Sequence, residues 1–323
     1  MKPVGPIPPA FLRKAALQIA GLDAEELVAR AGDTPAFVYD ASAVAARIAR
    51  LRAALPAGVG IHYAIKANPH PELLARIAPL VDGLDVASAG ELARAAAVKP
   101  AADISFAGPG KRDDALAAAI RAGATLNVEG EGEGARALRI GVNLGIRPKL
   151  AVRVNPDFEL RGSGMRMGGR PSPFGVDVAR VPDLVRTLID GGADWRGFHI
   201  FAGSQTLDTA AIIDTQAATV ALAARLAEAA GAVPPLVNLG GGFGIPYFAG
   251  DTPVDVEAVG AALGEALAST PAALAGTRYA IELGRWLVGE AGVYLTRVID
   301  VKRSGEELFV VVDGGLHHQL AAS

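Results

Sequence analysis

A lysine closes a β-prone apolar run at His62-Tyr63-Ala64-Ile65-Lys66-Ala67-Asn68. An amine among apolar neighbours is costly as an ammonium. Desolvation lowers its pKa and makes it the kind of nucleophile a Schiff base requires. The plainer reading is a strand-end lysine whose stem lies on the protein and whose head reaches water. Three glycines, Gly240, Gly241 and Gly242, follow Asn238-Leu239 and precede Phe243-Gly244. Lacking Cβ atoms, they let backbone N–H groups approach an anion such as phosphate. They do not make G-x-G-x-x-G, because Ile245 occupies the last glycine position, and a tight turn accounts for them equally well. Glu282 and Arg285 close another apolar run. Arginine suits phosphate or carboxylate as a bidentate donor, or the two residues neutralise each other. His199 also lies in an apolar run, where a satisfied core histidine is the common case. His317 and His318 are adjacent; on a strand they would point to opposite faces, so no metal site is read.

The elements that must position these groups repeat along the chain. β-prone runs alternate with alanine- and leucine-rich runs of helical spacing. They are 61–66 then 71–79, 83–88 then 90–98, 104–108 then 112–122, and 125–129 then 131–144. The series continues with 149–155 then 181–190, 197–201 then 207–230, 236–239 then 254–268, and 278–283. Such alternation implies a parallel sheet covered by helices. Eight units in about 220 residues predict an α/β fold, a closed (β/α)8 barrel, over an open doubly wound sheet. Functional groups of such a barrel gather at the carboxyl ends of its strands. That rule brings Lys66, Asp85, Ser88, Glu129, Arg153, Asn155, His199, Ser204, the glycine run, Glu282 and Arg285 to one face. After Arg285 the texture becomes β-rich at 287–301 and 307–313, with Gly305 in a hairpin turn, and 36–40 is a further strand candidate. The expected layout is an N-terminal segment 1–40 contributing to a β domain, a barrel over 41–285, and the start of an incomplete C-terminal β domain over 286–323.

Composition excludes several classes. Of the 323 residues 51% are hydrophobic and 20% charged, which supplies a large core and argues against disorder. A net charge of −3 leaves no electrostatic footprint for nucleic acid. The absence of cysteine excludes disulfides and thiolate chemistry. The Pro-rich residues 1–11 have no apolar signal-peptide core, and no uninterrupted apolar run of membrane-spanning length is present, so no membrane partner and a cytoplasmic location are expected. The combination of lysine, glycine cradle, histidine and carboxylate matches the needs of pyridoxal 5'-phosphate. A lysine holds the aldehyde, glycines hold the phosphate, a histidine stacks on the ring, and a carboxylate keeps the pyridine nitrogen protonated.

From about Thr34 onward the chain resembles the fold type III pyridoxal-phosphate decarboxylases, the diaminopimelate, ornithine and arginine decarboxylase group. The carrying motifs are Tyr63-Ala64-Ile65-Lys66-Ala67-Asn68, Asp85-Val86-Ala87-Ser88-Ala89-Gly90-Glu91, Gly240-Gly241-Gly242-Phe243 and Glu282-Leu283-Gly284-Arg285. The resemblance implies an alanine-racemase-like barrel with a C-terminal β domain, working as a homodimer. It implies Lys66 as the Schiff-base lysine, His199 against the cofactor ring, and Glu282 at the pyridine nitrogen. It assigns Ser204, Gly241, Gly242 and Arg285 to the phosphate, and Asp85 and Arg153 to the pocket wall. The implied reaction is loss of an amino acid's α-carboxylate as carbon dioxide.

Departures refine the resemblance. The usual His-x-Gly-Ser-Gln run is here His199-Ile200-Phe201-Ala202-Gly203-Ser204-Gln205, two residues longer. Ser172-Pro173-Phe174-Gly175 lacks a lysine usual near the pocket. With Gly164-Met165-Arg166-Met167-Gly168-Gly169 and Asp313-Gly314-Gly315-Leu316-His317-His318, these features resemble decarboxylase-like proteins associated with bacterial exosortase and exopolysaccharide loci. That branch is similar to enzymes acting on glutamate tethered to an acyl carrier protein, so the substrate is a free diamino acid or a carrier-bound amino acid. The group's C-terminal domain supplies a cysteine and a tyrosine to the partner's site. A cysteine-free chain stopping at Ser323 is therefore expected to be truncated and weakly active. Rival readings are an amino-acid racemase, a non-catalytic carrier of the cofactor, and a barrel binding another phosphorylated ligand. Glu282, where racemases place an arginine, favours decarboxylation.

Overall fold

A computed structural model describes residues 12–13, 16–162, 164–166 and 168–318. The Pro-rich residues 1–11, Met167 of the 164–169 run and residues 319–323 lie outside the described residues. Eight parallel strands form the centre: β1 (Gly60–Ala64), β2 (Gly83–Val86), β3 (Ile104–Phe106), β4 (Thr125–Val128), β5 (Lys149–Asn155), β6 (Asp194–Ile200), β7 (Leu236–Asn238) and β8 (Arg278–Leu283). Each pairs with the next, and β8 returns to β1 with Ile281 opposite Ile61, so the sheet closes into a barrel. Its helices are α1 (Ala41–Ala54), α2 (Pro71–Ile77), α3 (Ala89–Ala96), α4 (Asp113–Ala122), α5 (Glu131–Leu144), α6 (Val181–Asp190), α7 (Thr209–Ala230) and α8 (Val256–Ala268). The protein is a (β/α)8 barrel whose helical ring is completed by α1, which precedes the first strand.

The strands are nearly continuous apolar runs because the inner side packs the barrel and the outer side meets helices. Ile61, Leu84, Leu126, Val152, Val237 and Ile281 are fully excluded from solvent. Helix ends follow local chemistry. Ser88 caps α3 by accepting the Glu91 N–H at 3.2 Å, while the Glu91 carboxylate accepts the Ala87 N–H at 2.7 Å. That reciprocal cap explains much of the Asp85-to-Glu91 motif without any ligand. α7 is the one described helix long and apolar enough to cross a membrane, yet 56% of its apolar stretch is buried, and it packs between α6 and α8.

Outside the barrel, Gly292–Leu295 pairs antiparallel with Ala36–Tyr39, which ties the two ends of the chain together. Ile19, Leu27 and Leu295 form a small second core beneath them. Val298–Ser304 and Glu307–Val312 form a hairpin exposed along its whole length. The expectation of an uninterrupted β-rich stretch over 287–301 is corrected at its start. Arg285–Val288 is a short helix, which buries the consecutive residues Trp286, Leu287 and Val288; a strand would turn alternate ones outward. His317 and His318 are also placed differently. They lie in a turn beyond the last strand, with ring centroids 3.9 Å apart, because the alternation that separates neighbours holds only in extended chain.

Candidate active site

The carboxyl ends of the strands assemble the polar groups. β8 delivers Glu282 and β6 delivers His199, two strands apart across a short β7. The histidine Nε2 lies 2.9 Å from Glu282 Oε2, and both side chains are more than nine-tenths buried. Neither atom lies in line for a directed hydrogen bond, so both retain unspent bonding capacity. Burial pushes the Glu282 pKa upward. Contact with His199, together with the charges of His199, Lys66 and Arg153, outweighs it and holds the carboxyl well below its ordinary range.

Lys66 stands differently from its sequence expectation. β1 ends at Ala64, and Lys66 sits in the short 3-10 turn Ile65–Ala67, exposed at the mouth. The strand ends two residues before the amine and the side chain is exposed, so the desolvation argued from sequence does not apply. Its charge nevertheless reaches Glu282.

The glycine run and the segment after β6 form one interlocked loop pair. The Thr206 N–H donates to Gly242 O at 3.0 Å, and the Gly244 N–H donates to Thr206 O at 2.7 Å. Side chains are excluded at the turn. A Cβ on Gly241 would lie 2.0 Å from the Glu282 carbonyl oxygen, and one on Gly242, where φ is +85°, would lie 2.7 Å from the Gly203 carbonyl oxygen. Ser204 follows Gly203 in this pair. Next, Gln205 accepts a hydrogen bond from Arg285 Nη1 at 3.1 Å and donates to Ile245 O at 3.0 Å. Arg285 therefore does not pair with Glu282, which corrects that alternative. The glutamate ends β8 pointing at His199, while the arginine opens the next helix on the loop side.

A third group supports these from beneath. Arg153 on β5 donates to Glu129 Oε1 at 3.0 Å, and its guanidinium stacks 5.0 Å from the Phe174 ring centroid. Glu129 also accepts the Gly108 N–H, and the Gly175 N–H at 3.1 Å. One carboxylate thus ties three loops together. Lys111 Nζ lies 2.7 Å from Glu133 Oε1, with both side chains almost wholly buried, and donates to the Gly108 carbonyl. Asp85 on β2 is buried beside His62, Nδ1 to Oδ2 3.2 Å. Asn155 Nδ2 donates to Arg170 O and Asp177 Oδ1, while its Oδ1 has no hydrogen-bond partner among the described residues; Ser88 is spent on its helix cap.

Motif reading did not single out His62, Lys111, Glu133 or Gln205, and it gave Glu129 no role. Glu129 was accessible to it, since it directly follows β4 at the functional end. Lys111 was not, since Lys111-Arg112-Asp113-Asp114 reads as a solvated charge run.

The residues present fit pyridoxal phosphate. Buried His199 nitrogens and a Glu282 oxygen without directed partners suit a protonated ring nitrogen and a ring face. The Gly241–Gly242 turn offers backbone N–H groups where no side chain can stand, with Arg285 beside it.

The family model for the pyridoxal-binding domain of pyridoxal-dependent decarboxylases matches residues 41–289. The L-glutamyl-[BtrI acyl-carrier protein] decarboxylase of Niallia circulans is 33% identical over 310 residues, 94% of this chain and 72% of the relative. The diaminopimelate decarboxylase of Deinococcus radiodurans is 34% identical over 287 residues, 88% of this chain and 68% of the relative. The crystal structure of diaminopimelate decarboxylase from M. jannaschii superposes with a TM-score of 0.87 at 26% identity, covering 96% of this chain and 74% of that one.

Proposed function

Since the chain belongs to the pyridoxal-dependent decarboxylases, we propose that it removes the α-carboxylate of a free amino acid of the diaminopimelate type, with pyridoxal 5'-phosphate as cofactor. The observation that carries this is the buried His199–Glu282 pair beside the Gly241–Gly242 turn, with Lys66 at the mouth.

Lys66 would hold the cofactor's aldehyde carbon. Ser204, Gly241, Gly242 and Arg285 would hold its phosphate, His199 and Glu282 its ring, and Asp85 and Arg153 the pocket wall. The bound cofactor supplies an electron sink for the pair left behind when carbon dioxide departs. The chain's residues do the rest. The Glu282 carboxylate, held deprotonated by its neighbours, keeps a proton on the ring nitrogen and does not compete for it. Lys66 stands at the mouth, where its amine, when free, would hold or move a proton. Glu129 fixes the Arg153 guanidinium and two loop backbones, so the pocket wall keeps its shape through the cycle.

A second reading has its own support. The relative from Niallia circulans acts on a carrier-bound glutamyl group and aligns with 94% of this chain. A carrier protein bearing a glutamyl group is then the partner. A racemase is disfavoured by a glutamate at position 282. Homodimerisation and membership of the exosortase-associated branch belong to the same proposal and rest on the sequence motifs; a cytoplasmic location belongs to it through the cofactor, which is made in the cytosol.

The test is an absorbance spectrum of the purified chain with pyridoxal phosphate, before and after borohydride, beside Lys66→Ala. Carbon dioxide release is assayed from diaminopimelate and from a glutamyl-loaded carrier protein. A band trapped on Lys66, and turnover of diaminopimelate lost at least about 10³-fold in the variant, are expected. Turnover of the carrier-bound substrate alone selects the second reading. A folded chain with no band overturns both.

A further inference from the structure

His62 has no part in the chemistry described above, yet it sits at the centre of the barrel. On β1 it lies opposite Glu282 of β8 on one side and Gly83 of β2 on the other. The glycine is a notch for its ring: a Cβ at position 83 would lie 2.6 Å from the His62 Nε2 atom and within 2.8 Å of two ring carbons. So seated, Nδ1 comes 3.2 Å from Asp85 Oδ2, with the two side chains 13% and 5% exposed. Neither Asp85 oxygen has a directed hydrogen bond. Asp85 is the cross-strand partner of Ala64, two residues before Lys66. On its other side His62 lines a cavity of about 290 Å³ that opens toward the amino ends of the strands, with Ser105, Asn127 and Asn238. The ring therefore stands between that cavity and the candidate active site.

We infer that His62 is a positioning residue: held in the Gly83 notch, it fixes the Asp85 carboxylate and offsets its charge beside Lys66 and Glu282. This rests on the reading of Lys66 as the cofactor's anchor.

The physical need is plain. A buried carboxylate with no counter-charge either takes up a proton or draws in the nearest cation. The Lys66 ammonium is a mobile cation at this end of the barrel, with a charge that reaches Glu282, and an amine held as ammonium cannot attack an aldehyde. An imidazolium at Nδ1 removes that pull. His62 is suited to carry the charge. Burial lowers its pKa, but Asp85 from β2, Glu282 from β8 and Asp82 from the turn before β2 together outweigh burial and raise it. Lys66 lies beyond the end of its own strand, and His199 contacts Glu282 from β6.

The test has two arms. The chain contains five histidines, so histidine side-chain NMR is tractable, and His62→Gln identifies the resonance. Without cofactor, His62 is expected to titrate above the ordinary value of about 6.5. Asp85→Asn is expected to lower that midpoint by at least about one unit. A midpoint at the ordinary value, unmoved by Asp85→Asn, overturns the pairing.

In the second arm, the rate at which pyridoxal phosphate forms its absorbance band is followed from pH 7 to pH 9. His62→Gln is expected to slow it about tenfold at pH 7, with the gap closing as rising pH removes the proton from His62 in the parent chain. Gly83→Ala, which removes no polar group, is expected to do the same by displacing the ring, and His70→Gln to change nothing. Equal rates for His62→Gln and the parent chain at every pH overturn the role toward Lys66. If the parent chain forms no band, the decarboxylase reading fails, while the NMR arm still decides whether His62 holds Asp85.

Discussion

Glu129 and Arg153 face each other at 3.0 Å across the ends of adjacent strands, each more than nine-tenths buried. Their strands pair in register up to Val128 and Val152, the residues immediately before them. The next step along each strand therefore brings an acid against a base with no freedom to separate. Through Glu129 the contact links the Gly108 and Gly175 loops to β5.

Removing that carboxylate should be felt by the whole barrel. Glu129→Ala leaves a buried guanidinium and two backbone N–H groups without an acceptor, a loss of about 3–5 kcal/mol. Urea unfolding should show a lower midpoint at unchanged slope. A loss of under about 1 kcal/mol would mean that Arg153 finds water or another partner.

The Lys111–Glu133 pair makes the opposite prediction for its double variant. Burial pushes the Glu133 pKa up, against the pull of Lys111, and pushes the Lys111 pKa down, against the pull of Glu133. With its folded pKa raised, Glu133 contributes stability that is full below the unfolded value near 4.3 and is lost as pH rises through the folded one. With its folded pKa lowered, Lys111 contributes stability that is full above about 10.4 and is lost as pH falls through the folded value. Between those limits the charged pair is held at a desolvation cost. Lys111→Met alone should destabilise by about 3–5 kcal/mol, whereas Lys111→Met with Glu133→Leu should be neutral or stabilising. A double-mutant cycle in thermal unfolding at pH 7 reads both; a double variant weaker than either single one contradicts the argument.

Glu282→Gln keeps the shape of the His199 contact and removes its charge. Catalysis should fall at least about 10²-fold, the scale of losing one preorganised electrostatic group. The loss should appear in kcat more than in KM, with the cofactor band still present. Near-parental turnover would place the control of the ring nitrogen elsewhere.

Gly241→Ala forces a Cβ against the Glu282 carbonyl oxygen, so the turn must shift away from β8. Pyridoxal phosphate affinity, read by fluorescence titration, should weaken at least about tenfold, or ~1.4 kcal/mol. The same substitution at Gly110, a loop glycine without positive φ where a Cβ meets nothing within 4 Å, is the control for handling a loop glycine.

Much of the barrel is legible in the chain because each strand–helix unit is a local pattern. β1 to β8 fall within a few residues of the β-prone runs, and their order alone puts Lys66, Glu129, His199 and Glu282 at one end. What pairs with what at that end is not local. Glu282 is three residues from Arg285 in sequence yet turns toward His199, because the strand end and the helix start face different loops. Lys111 lies in a charged tetrapeptide whose other members are exposed, and only the packing of α5 beside it makes it a buried cation. Lys66 shows the converse: an apolar run predicts burial, but the strand stops two residues short and the amine emerges at the mouth.

Closure of the ring has a consequence for synthesis. Ile61 must wait for Ile281, about 220 residues later, before β1 gains its second neighbour. At about 5–20 residues per second a ribosome takes roughly 10–40 s to supply it. Throughout that interval the nascent chain carries an apolar strand with one bare edge, open to any other extended chain that reaches it first.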